Sequence, residues 1–99
     1  MPITTAWVTA YCACNLCCGK WSGGPTASGV MPLEGVTLAA PRSIPFGTTV
    51  TIEGVGVRVV QDRASRRYDH RFDVYFKSHS DAKKFGKRKV VVKYGHDSR

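Results

Sequence analysis

QDRASRRYDHRFDVYF, residues 61–76, is the stretch on which the reading of this chain turns. It carries Asp62, Asp69 and Asp73, and its end, FDVYF (72–76), has the aromatic and β-branched make-up of a strand. Asp73 nevertheless stands inside that strand, a position where Asp is uncommon. Period-two alternation sends Phe72, Val74 and Phe76 to one face and Asp73 with Tyr75 to the other. If the first set fills a core, the acid faces outward beside an aromatic ring that offers a stacking surface. Partial desolvation there raises a carboxyl pKa and leaves it a proton to give, and a second acid such as Asp62 pushes the same way. The pattern also allows a purely structural role, an ion pair of Asp73 with Arg63, Arg66, Arg67 or Arg71.

Outward from this stretch the chain reads as short strands. VGVRVVQD (55–62) alternates with Val57, Val59 and Gln61 on one face and Arg58, Val60 and Asp62 on the other. ITTAWVTAYC (3–12), VTLAA (36–40), TTVTIEG (48–54) and KRKVVVKY (87–94) are further strands, and PRSIPFG (41–47) is a turn. NLCCGKWSGGPTASG (15–29) is a loop. SHSDAKKFG (78–86) is one short helix, capped by Ser78 or Ser80 and stopped by Gly86. Six strands and one helix in 99 residues predict a single all-β domain over 1–99, a small closed or nearly closed barrel.

Composition narrows the setting. Hydrophobic residues make up 42% and mean hydropathy is -0.20, values of a soluble globular chain rather than a disordered or membrane one. No apolar run approaches the roughly 20 residues of a membrane span. MPITTAWVTAY lacks the basic and apolar regions of a secretory signal, so no signal peptide is expected. Net charge is +8, and of the first fifty residues only Lys20, Glu34 and Arg42 are charged, so the surplus sits in the second half. Such a field attracts polyanions, nucleic acid or the bacterial wall. The aromatic-basic motifs of nucleic-acid binders are absent, so no specific nucleic-acid partner is expected.

CACNLCC (12–18) sets Cys12, Cys14, Cys17 and Cys18 close together. Disulfides within the cluster are the first reading, since an oxidising compartment favours them. A zinc site is the second, because the spacing is not a pair of C-x2-C knuckles. Free thiols are the third. No histidine has a partner motif for a catalytic cysteine. Trp7, Tyr11, Trp21, Tyr68 and Tyr75 are candidates to line a sugar cleft.

The order TAY (9–11), TASG (26–29), LAAP (38–41), IPFGT (44–48), QD (61–62), FDVYF (72–76) and SHSDAKKFG (78–86) resembles the 3D domain, a family named for three aspartates. The resemblance runs from Thr9 to Tyr94. It implies a six-stranded double-psi β-barrel and a peptidoglycan lytic transglycosylase, an enzyme that cleaves the bond between N-acetylmuramic acid and N-acetylglucosamine without water. On that resemblance Asp73 is the catalytic acid and base, with Asp62 as its partner. Thr9, Tyr11, Thr26, Trp21, Tyr75 and Lys20 are the residues expected to hold substrate. No metal or cofactor is implied. The partner would be peptidoglycan, met at the cell wall, in the periplasm or outside the cell, a setting that suits a phage lysis or tail protein. Two departures stand out. The third family aspartate falls on Ala40, and a Gly-rich stretch after the partner acid is replaced by Arg63-Ala64-Ser65. They motivate the alternative of a non-catalytic, expansin-like barrel that binds wall glycan.

Overall fold

The computed structural model describes residues 3–12, 24–64, 66–68 and 70–95. In chain order these form β1 (Ile3–Tyr11), β2 (Thr37–Ala39), β3 (Thr49–Ile52), β4 (Gly56–Asp62), a 3-10 turn at Arg66–Tyr68, β5 (Phe72–Tyr75), helix α1 (His79–Phe85) and β6 (Arg88–Gly95). The expected strands and helix are all there, with ends shifted by a residue or two.

The strands close into a barrel in the order β1-β5-β2-β4-β3-β6. β1 lies parallel to β5 and β2 parallel to β4, while the other neighbours are antiparallel. This mixed closure is the double-psi β-barrel. Its interior draws on every strand: Val8, Leu38, Val50, Ile52, Val60, Val74 and Val92 have essentially no solvent exposure. Mostly β-branched, they suit a pleated wall and fill it from within. Burying each contributes about 1.5–3 kcal/mol.

Helix α1 packs against β1 and sends Ala82 and Phe85 inward. The Ser78 hydroxyl oxygen accepts from the Asp81 N–H at 3.3 Å, capping the first turn. Gly86, at φ 71, ends it with its N–H on the Ala82 carbonyl.

The alternation expected on β5 holds, with Phe72 and Val74 in the core and Asp73 on the outer side. On β4 it fails at the end that matters. Val60 is buried in the core, and strict alternation would turn Asp62 inward with it. Instead the register slips: Leu38 pairs with Val60 and Ala39 with Asp62, so Gln61 is an extra residue, a β-bulge. The bulge returns Asp62 to the outer side, beside Ala39.

Candidate active site

Ala39 fixes the geometry. It is in register with Asp62 on β4 and with Asp73 on β5, so the two acids flank one alanine of the central strand. Strand spacing puts their Cα atoms two steps apart, roughly 10 Å.

Asp73 is also in register with Thr9 on β1. The Thr9 hydroxyl donates to its Oδ1 at 3.0 Å. The Asp73 carboxyl is raised from its ordinary 3.8 to about 6. Burial is the main cause; the Thr9 hydrogen bond and the Arg71 charge pull it down, and the Asp62 charge adds a smaller push upward. The sequence pattern gave Asp62 a share in this tuning, and it has one, but desolvation dominates.

Asp62 is held by three donors. The Tyr11 hydroxyl donates to Oδ2 at 2.7 Å, and the N–H groups of Ala27 and Arg63 donate to Oδ1 at 2.9 and 2.8 Å. Ala27 arrives there because the TASG loop folds on itself. The Thr26 hydroxyl and N–H both donate to the Val30 carbonyl at 2.7 Å, and the Ser28 N–H reaches the Gln61 carbonyl at 3.1 Å. The hydroxyls of Thr9, Thr26 and Tyr11, residues expected to hold substrate, donate here to Asp73, the Val30 carbonyl and Asp62. The backbone hold of Ala27 and Arg63 on Asp62 is not legible in the sequence, because a backbone donor leaves no trace in residue type.

The remaining expected residues are distributed unevenly. Tyr75 is only 7% exposed and meets Tyr11 edge-on at 5.5 Å, so the open stacking face expected of it is covered. Trp7 is 39% exposed. Tyr68 falls in the 3-10 turn. Lys20, Trp21, Cys14, Cys17 and Cys18 lie outside the described residues. Cys12 is buried just after β1, its Sγ 3.4 Å from Nδ1 of His79, a contact that no sequence pattern marks.

The two departures from the aspartate pattern meet in space. Ala40 is buried in the core cluster. The Arg63 guanidinium donates to the Ala40, Asp62 and Ile44 carbonyls at 3.3, 3.3 and 2.6 Å, and lies 4.1 Å from the Phe46 ring centre. A cation therefore ties together the turn in which the third acid would stand.

A groove of about 370 Å³ opens on the wall nearby, lined in part by Thr5, Trp7, Ser43, His70, Phe72 and Lys89. Asp73 is not among its lining residues, but Phe72, the residue before it, is. Chemically, the site offers one half-buried carboxyl that can hold a proton near pH 6 and a second, well-fixed carboxyl across β2.

Comparisons with known proteins agree with this architecture. The family model of the 3D domain matches residues 36–94. The "Putative cell wall shaping protein YabE" of Bacillus subtilis (strain 168) is 33% identical over 96 residues, which is 92% of this chain and 22% of that protein. The chain thus spans about a fifth of that curated relative. Two crystal structures of MltA from Escherichia coli, one described as revealing a unique lytic transglycosylase fold, superpose with TM-scores of 0.54 and 0.57. Each is 22% identical and covers 71% of this chain and 26% of its own. At that identity the likeness is one of fold.

Proposed function

The chain belongs to the 3D domain family, and from that premise we propose that it is a peptidoglycan lytic transglycosylase acting at the cell wall. The observation that carries this reading is the half-buried, outward carboxyl of Asp73, raised to about 6 and steadied by Thr9. Protonated, Asp73 gives its proton to the glycosidic oxygen as the bond from the muramyl anomeric carbon breaks. The muramyl 6-hydroxyl oxygen then attacks that carbon, and its proton goes to the Asp73 carboxylate. One sugar leaves with a free 4-hydroxyl and the other as a 1,6-anhydro ring. No water is consumed and the acid is restored.

A single carboxyl suffices for this sequence, unlike hydrolysis, which needs two flanking the bond. Asp62 serves as the fixed neighbour that adds to the proton affinity of Asp73 and accepts from sugar hydroxyls. The names of the relatives support the wall as the setting, one being a putative cell wall shaping protein and the other carrying a lytic transglycosylase fold. Among the described residues no helix is long and apolar enough to cross a membrane. A phage lysis or tail protein is one context in which such a domain meets the wall.

A second reading, a glycan-binding barrel without catalysis, is favoured by the Arg63 guanidinium laced around Ala40. A zymogram on cell walls separates the two. Clearing by the native protein and none by Asp73→Asn supports the enzyme; no clearing by either supports the binding barrel.

A further inference from the structure

β5 begins at Phe72, in register with Val8, so the first half of β1 has β6 on one side and no β5 on the other. The 370 Å³ groove lies against this half of the strand, with Ser43 and His70 among its lining. Its size falls within the roughly 300–1,000 Å³ of ligand sites. Its lining includes aromatic rings (Trp7, Tyr94), hydroxyls (Thr5, Ser43), an imidazole and the Lys89 ammonium, with no acid among the described residues. Lys87 and Lys89 hold their Nζ atoms 4.6 and 5.9 Å from the centre of the Trp7 ring. An exposed indole framed by two ammoniums suits a ligand that is both ring-bearing and anionic.

We propose that this groove binds a carboxylate-bearing glycan strand, with Trp7 as the platform for a sugar ring and Lys87 and Lys89 as the groups that meet its carboxylates. Position supports continuity with the acid. Val8 points inward, so Thr5, Trp7 and Thr9 share the outer row of β1. Trp7 and Thr9 are two residues apart, about 7 Å along the strand. Thr9 holds Asp73, so a strand lying along this row passes from the indole to the carboxyl. The inference rests on wall glycan being the ligand class of the proposed function, but not on Asp73 performing chemistry.

The test is co-sedimentation with purified sacculi, carried out with Asp73→Asn so that strands stay intact. Adding Trp7→Ala, or Lys87→Glu with Lys89→Glu, should weaken retention about tenfold or more. Both lysines are exposed, so the second variant decides the matter if the first does not fold. Retention should survive removal of phosphate polymers from the walls with cold hydrofluoric acid. Unchanged retention of the lysine variant would overturn the proposal, as would loss of retention on the stripped walls. If the native protein clears walls while the variants bind as well as their parent, the groove assignment fails and the enzyme reading stands. If no protein clears walls but the variants lose retention, the reverse holds.

Discussion

At the scale of the residue, Asp73 carries two linked consequences of one half-buried, desolvated carboxyl. Its folded pKa of about 6 lies above the ordinary 3.8, so the group is neutral in both folded and unfolded chains at low pH and costs nothing there. As pH rises between these values the unfolded chain ionises first, and the folded state loses about 3 kcal/mol by pH 7. Asp73→Asn should therefore unfold later in urea than the native protein at pH 7.5, by up to about that amount, and nearly together with it at pH 4. Equal midpoints at both values would contradict the burial argument. Cleavage needs the protonated acid, so the rate should fall as pH climbs past about 6. Thr9→Val removes a hydrogen bond that lowers this pKa, so the falling limb of the pH–rate profile should move to higher pH. A profile unmoved by that change would mean Thr9 does not tune the acid.

At the scale of the element, the site depends on how strands and loops are offset. Tyr11→Phe leaves the 2.7 Å bond to Asp62 unmade and should cost about 1–3 kcal/mol, read from chemical denaturation. Gly47 sits at φ 90 and sends its N–H to the Val60 carbonyl at 2.8 Å, so Gly47→Ala should also destabilise, by about 1–2 kcal/mol. The strands themselves were legible, because apolar alternation repeats over several residues and six such runs leave few other architectures. The outward turn of Asp73 was legible for the same reason. The bulge at Gln61 was not, since one extra residue leaves no mark in composition and reverses the face of whatever follows it. Nor was the hold of Ala27 on Asp62, a backbone contact between residues 35 apart in sequence. The covering of Tyr75 depends on Tyr11 across a parallel strand pair whose register no local pattern fixes.

At the scale of the whole molecule, the barrel and its site share one support. Leu38 pairs with Val60 on one side and Val74 on the other, immediately before Ala39 meets both acids. Leu38→Ala should cost about 2–5 kcal/mol and lower activity at temperatures where the chain remains folded, because the cavity lies under both carboxylates. Thermal unfolding and residual wall clearing, measured on the same preparation, check both parts. The closure that joins β1 to β5 and β6 also produces the local gap in which Trp7 and the lysines stand. Part of the charge surplus of the second half, legible in sequence only as an attraction to polyanions, is thereby given a place: Lys89 of β6 is in register with Trp7 on the outer row of β1. The most direct measurement is mass spectrometry of fragments released from purified sacculi by the native protein and by Asp73→Asn. The native protein should yield muramyl ends lighter by one water than ordinary reducing ends, and the variant none; reducing ends from the native protein, or anhydro ends from both, would contradict the single-acid account.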